Sequence, residues 1–303
     1  MIRKGAQKVA VKISPKHRRW RRLLRSLTMD PHRMNDSVPE PTARDFIICG
    51  APRSGTSLLA AVLYQPPRVV TVMEPWDGMR LPPADLFASV REEIIRTGWL
   101  HKGRLDVEAL RSRGEVRWGR DGEFPHPVAA SQNFLLGIKW PAFYRYLEFL
   151  PHTKFLVCLR HPVEVINSYS HQGGSLRRGL EYDIRFNKKM NQSLLSTTEQ
   201  DHVRRVLLYD YANLRLAPHL DRPNVFAVRY ERWFEDRKRL LHEIGAFLGT
   251  DLGPGMAVIR RPRPADLSAS ELEVIERHCR SAAILGYDLS QADRVASGAR
   301  IGH

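Results

Sequence analysis

Residues 46 to 59, FIICGAPRSGTSLL, constrain the fold of this chain more than any other stretch. An apolar, β-branched run breaks at Gly50 into a turn of small and polar residues, and a second apolar run begins just past Thr56 and Ser57. The first run reads as a buried strand and the second as a helix. Gly50 and Gly55 let the backbone curl tightly between them. The amides of Gly55, Thr56 and Ser57 would then open the helix, where the aligned peptide dipoles favour an anion.

The pattern downstream repeats that theme. Runs at 45–50, 68–74, 134–139, 153–160 and 224–230 are nearly continuous in apolar residues, as strands of a parallel sheet covered on both faces should be. Helical periodicity falls at 55–65, 82–97, 141–150, 162–170, 197–217, 232–248 and 269–285. The expected fold is α/β, a three-layer P-loop-like arrangement with a central five-stranded parallel sheet flanked by helices. A length of 303 residues suits one large domain or two small ones. We expect a basic tail and linker over 1–44, a globular domain over 45–290 and a C-terminal tail over 291–303. Within the domain, 75–132 shows weak helices broken by Gly, Pro and charge, and no clear strand; an insertion of that size is expected to carry specificity.

The formal net charge of +15 bears on partners. Ten Lys or Arg and no acid precede Asp30, whereas the remainder carries 38 basic against 33 acidic residues, an ordinary surface with room for one basic cleft. No recognition motif accompanies the charge, which argues against nucleic acid as a partner. In the tail, Trp20, Leu23, Leu24 and Leu27 form an apolar stripe on a cationic helical pattern. That stripe fits either peripheral contact with an anionic membrane or a solvated or docked tail. The three cysteines, Cys49, Cys158 and Cys279, are too few and too scattered for a disulfide framework or a zinc site, and read as buried thiols of a reducing compartment. No run approaches the roughly 18 to 20 apolar residues that span a bilayer, and the N-terminus lacks a secretory-signal core. A cytoplasmic protein is expected, with the inner membrane face as the place its tail would touch.

In a doubly wound sheet, ligands bind beyond the carboxyl ends of the strands. Here the runs end in the Gly50 to Ser57 turn, Glu74, Lys139, Arg160, and Arg229 with Tyr230. The turn is close to GxxxxGK[ST], yet Thr56 stands where the lysine is required, and no candidate strand ends in aspartate. The one apolar run followed by Asp, VLLYD at Asp210, reads as helix. ATP with magnesium is therefore a poor fit. LVCLRHPVEVINS places Arg160 at a strand end, Pro162 in the first turn of a helix and Ser168 eight residues after the arginine. Guanidinium and hydroxyl make a second oxyanion site, and arginine suits a terminal phosphate because it stays charged and binds through two donors. One ligand with two separate phosphate ends would use both sites.

PRSGTS (52–57) and RHPVEVINS (160–168), in that order and in those strand contexts, resemble the two nucleotide motifs of the sulfotransferases that use 3′-phosphoadenosine 5′-phosphosulfate. VRYERWFED (228–236) is similar to a third, less specific family segment, and the likeness spans 45–250. The resemblance implies sulfonate transfer to a hydroxyl, leaving 3′-phosphoadenosine 5′-phosphate (PAP), with no metal required. Arg53, Ser54, Gly55, Thr56 and Ser57 would hold the 5′-phosphosulfate, with Arg53 near the bridging oxygen. Arg160 and Ser168 would grip the 3′-phosphate, and Tyr230 would lie near the adenine. Glu74 stands where tyrosylprotein and carbohydrate members keep a catalytic glutamate, a general base for the acceptor. Lys139, in GIKWP, resembles a family lysine that would neutralise the departing oxygen.

The chain also departs from the cytosolic branch of that family. Its histidine after the third strand and its late Arg-Lys-Gly segment are not evident. His171 is the fallback base, and Arg260, Arg261 and Arg263 are the candidates for closing over the nucleotide. These departures favour the carbohydrate-type and bacterial branches. The expected acceptor is a carbohydrate, a glycolipid or another small molecule, with Trp76, Trp99, Trp118 and Trp140 as candidate walls of its pocket. Two other readings of the residues stand beside this one: a divergent P-loop kinase for a small molecule, and a non-catalytic anion- or membrane-binding module driven by the tail.

Overall fold

The computed structural model describes residues 38–128, 133–181, 184–255, 257–259 and 264–291. The tail stripe, Arg260, Arg261, Arg263 and the segment 292–303 lie outside the described residues. In chain order the elements are β1 (Asp45–Gly50), α1 (Thr56–Leu63), β2 (Val69–Met73), α2 (Pro83–Thr97), β3 (Trp99–Leu100), α3 (Val107–Arg113), β4 (His126–Pro127) and β5 (Leu135–Lys139). They continue with β6 (Lys154–Leu159), α4 (Pro162–Ser170), α5 (Ile184–Thr197), α6 (Asp201–Leu216), β7 (Val225–Arg229), α7 (Arg232–Glu235), α8 (Arg237–Leu248), α9 (Ala269–His278) and α10 (Arg280–Ile284).

Five of these strands form one sheet in the order β2-β5-β1-β6-β7, and every pairing in it is parallel. The apolar runs demand this, because a strand buried on both faces needs a helical layer on each side. Every residue of β1 and β2 is buried. Phe46, Ile47 and Ile48 are each at most 1% exposed, and burying a side chain of that size stabilises the fold by about 2 kcal/mol. The polar Thr71 inside β2 is satisfied by donating to the Ala60 carbonyl (2.7 Å), which ties α1 to the sheet. Asp45 at the start of β1 accepts from Arg91 of α2 (2.5 Å), fixing the opposite end of the sheet. β5 and β6 flank β1 on opposite sides, so the connections diverge at its carboxyl end, the place where ligands bind in such sheets.

Several expected helices differ in detail. Over 141–150 the chain makes a tighter 3-10 turn, Pro141–Tyr146, built around buried Phe143, Tyr144 and Tyr146, which are weaker α-formers than straight-chain residues. The helix expected at 197–217 begins at Asp201, and a separate helix, α5, precedes it in a stretch rich in polar residues. The 232–248 pattern breaks at Asp236, whose carboxylate accepts from the Arg239 amide and starts α8 afresh (3.0 Å). The last pattern breaks at Cys279. Asp210 lies in α6, buried, and accepts from the Ser281 amide (2.6 Å), so it is a structural carboxylate. The insertion carries α2, α3 and the two-residue antiparallel ribbon β3-β4, too short to register as strands in the sequence. All three cysteines are free and buried. Among the described residues no helix is long and apolar enough to cross a membrane.

Candidate active site

The strand order lines up the predicted residues along the carboxyl rim of the sheet. In spatial order they are Glu74 after β2, Lys139 ending β5, the 50–57 turn after β1, Arg160 after β6 and Tyr230 after β7. Neighbouring strands lie about 4.8 Å apart, so Glu74 and Arg160 stand about 14 Å from one another along the rim.

The central turn is closely packed. A Cβ on Gly50 (φ 150°) would lie 2.4 Å from the Cys158 carbonyl oxygen of β6, and one on Gly55 (φ 101°) would lie 2.6 Å from the Tyr230 ring. Among the described residues the non-glycine positions with positive φ are Arg53 (68°) and Glu74 (52°), both at strand ends on this rim. Such backbone costs about 1 kcal/mol or more and persists where the surroundings enforce it. The N-terminus of α1 has no side-chain cap. Ser54, 1% exposed, keeps its Oγ without a hydrogen-bond partner among the described residues.

On the β6-β7 side the two motifs are joined. Arg53 Nε donates to Ser168 Oγ (3.0 Å), and Arg160 Nη1 donates to the Arg53 carbonyl (3.2 Å). Arg160 Nε donates to Glu164 Oε2 (2.6 Å), and its guanidinium lies over the Tyr230 ring, 4.2 Å from the centroid. Tyr209 donates to the Arg160 carbonyl (2.8 Å), and the His161 amide donates to Glu231 Oε1 (2.8 Å). Burial pushes the His161 imidazole down to about 4; Arg160's charge adds to this, while contact with Asp288 opposes it. Burial raises the Glu231 carboxyl and the Tyr230 phenol, the latter against the pull of Arg160.

On the β2-β5 side Lys139 Nζ donates to Glu74 Oε1, and each side chain is 2% exposed. The Glu74 amide donates to the Lys139 carbonyl (2.8 Å), so backbone and side chains lock together across β2 and β5. The Trp118 indole, exposed on its other side, lies 5.6 Å from Lys139 Nζ. The Arg104 amide donates to the Met73 carbonyl (2.9 Å) and the Gly119 amide to the Arg104 carbonyl (2.8 Å), which moors Trp118 beside the end of β2. His171 is exposed just past the last residue of α4.

The family model of the Sulfotransferase family matches residues 45–254. The chain belongs to this family. No curated protein matches this sulfotransferase. Among solved structures it is similar to a sulfotransferase from Alicyclobacillus acidocaldarius at 18% identity, covering 85% of this chain and 100% of that one, with a TM-score of 0.44. It is similar to the sulfotransferase domain of the curacin biosynthetic pathway at 16% identity, over 88% and 100% of the two chains, TM-score 0.41. A mouse sulfotransferase complexed with PAP matches at 15% identity, over 92% and 71%, TM-score 0.37.

The residues of this sulfotransferase fit a donor with phosphate at both ends. The orphaned Ser54 Oγ and the uncapped start of α1 offer donors to one anion, while Arg160 and Ser168, linked through Arg53, offer donors to a second. The four tryptophans divide. Trp140 is core, stacked on Phe143 at 5.5 Å; Trp76 lies under Arg104 at 4.6 Å; Trp99 is exposed beside His101; Trp118 meets Lys139 on the rim. Sequence reasoning missed Glu164, Tyr209 and Glu231. For Glu164 a signal existed, because it stands four residues after Arg160 at the start of a helix, the spacing of a facing pair.

Proposed function

We propose that this sulfotransferase moves a sulfonate from 3′-phosphoadenosine 5′-phosphosulfate to a hydroxyl of a small acceptor, a carbohydrate, glycolipid or secondary metabolite. The observation that carries this reading is the Arg53 link: in this one residue of the central turn the guanidinium donates to Ser168 and the backbone carbonyl accepts from Arg160, tying the turn to residues 115 and 107 positions further along the chain. The bound donor supplies the activated sulfonate. Ser54, Gly55, Thr56 and Ser57 hold its 5′ end through the turn and the start of α1, with Arg53 beside the bridging oxygen. Arg160 and Ser168 hold the 3′-phosphate, and Tyr230, beneath Arg160, lines the adenine side.

Glu74 accepts the proton of the acceptor hydroxyl, and Lys139 turns its ammonium from Glu74 to the oxygen that gains charge. The acceptor approaches from the Trp118 side, which makes 75–132 the acceptor-facing part of a catalytic domain spanning 45–290. A cytoplasmic setting, with the basic tail touching an anionic membrane, goes with a glycolipid acceptor. The test is equilibrium binding: micromolar PAP should bind without magnesium, and ATP with magnesium should not compete. Tight magnesium-dependent ATP binding with no PAP binding would turn the assignment to the kinase reading.

A further inference from the structure

In the free protein both side chains assigned to the 3′-phosphate already have internal partners. Ser168 Oγ accepts from Arg53 Nε (3.0 Å), Arg160 Nη1 donates to the Arg53 carbonyl (3.2 Å), and Arg160 Nε donates to Glu164 Oε2 (2.6 Å). Of these partners Glu164 is the one anion. Its carboxylate and the guanidinium are only 20% and 12% exposed, so water screens the pair weakly. The flat face of Arg160 is taken by Tyr230 at 4.2 Å. The guanidinium therefore cannot swing away from Glu164 without leaving the ring, and an incoming phosphate meets an arginine whose charge is largely balanced.

We propose that Glu164 is an affinity-setting residue for the donor: a built-in carboxylate that orients Arg160 and, by competing with the 3′-phosphate for its charge, keeps the spent nucleotide releasable. The proposal rests on the donor assignment above. It distinguishes two jobs in one side chain. The hydrogen bond from Nε aims the Nη groups at the ligand, which a neutral acceptor at the same place does equally well. The negative charge weakens the hold on a second anion, which only a carboxylate does. Glu164 touches no reacting atom and acts through Arg160, as a positioning residue. Of the other charges near Arg160, Glu231 also lies in its field, but its hydrogen bond comes from the His161 amide rather than from the guanidinium, and Arg53 is itself cationic.

The experiment compares PAP with adenosine 5′-monophosphate, which lacks the 3′-phosphate, by calorimetry on the full chain and its variants. In Glu164→Gln the amide oxygen still accepts from Nε, and PAP should bind about tenfold more tightly while the monophosphate is unchanged. Glu164→Ala removes charge and acceptor together and should tighten PAP less than the glutamine variant does. A ligand-free thermal midpoint checks that each variant folds; should the glutamine variant fail to, the alanine variant decides by the same comparison. PAP affinity equal to or weaker than wild type in the folded variant overturns the proposal, as does an equal gain for the monophosphate, which would mean a general change in potential. If the wild-type protein binds no PAP, the donor assignment itself has failed. If wild type binds PAP but the variants show no selective gain, the donor assignment stands and only the role of Glu164 is lost.

Discussion

At the β2-β5 end of the rim, Lys139 and Glu74 face one another with 2% of each side chain exposed. At the β6 end, Arg160 divides itself among a carboxylate, a carbonyl and a tyrosine ring and remains 12% exposed. The first arrangement is closed: removing either partner strands a charge in a place water does not reach. The second is more open: several modest contacts hold a cation that keeps some access to water. The difference teaches where the same type of substitution acts on folding and where it acts on binding.

The largest effect should come from breaking the closed pair. Glu74→Ala or Lys139→Ala alone should cost about 3 to 5 kcal/mol of stability, because a buried charge loses its compensation. Replacing both by apolar residues of similar size should recover most of that loss. Urea unfolding of the four proteins measures the cycle; single variants within about 1 kcal/mol of wild type would mean the pair is solvated and the contrast is wrong.

The β6 side should betray itself through pH. His161 is held neutral by burial, with its folded value pushed down to about 4 from 6.5. Between those values the unfolded chain binds the extra proton and the folded chain does not. Stability contributed by the neutral imidazole is therefore full above pH 6.5 and is lost as pH falls toward 4, to a total of about 3 kcal/mol. Unfolding midpoints at a series of pH values in wild type and His161→Gln should diverge across that window. Parallel curves would remove His161 as the cause.

The smallest effect separates the halves most cleanly. Arg160→Lys keeps the charge but loses the planar fork, so PAP should bind about tenfold more weakly with stability changed by less than about 1 kcal/mol. A loss of stability without a loss of affinity would make Arg160 resemble the closed pair.

Much of this contrast was present in the sequence as positions but not as partners. The five apolar runs announced a parallel sheet because each was long enough and apolar enough to need cover on both faces. Their ends then named the rim residues, since a strand's last residue is fixed by the run itself. What linear spacing could not give was which neighbours touch. Glu74 and Lys139 are 65 positions apart and meet only because β5 inserts between β2 and β1. Arg53, which bonds Ser168, adopts a left-handed backbone conformation that no pattern of apolar residues signals. Helix α5 was missed for the converse reason: its polar KKMNQS stretch makes a helix through tertiary context more than through a continuous apolar stripe. The ribbon β3-β4, two residues per strand, is below the length at which alternation can be seen.

Gly55 and the Tyr230 ring occupy what is in effect one shared volume, with 2.6 Å between the ring and the place a Cβ would take. The two positions, 175 residues apart, are thereby bound to vary together: a side chain introduced at one can be housed only by shrinking the other, and that in turn removes the floor on which Arg160 rests. Anyone re-engineering this site inherits a single adjustable unit here, in which the central turn and the Tyr230 ring must be redesigned as a pair.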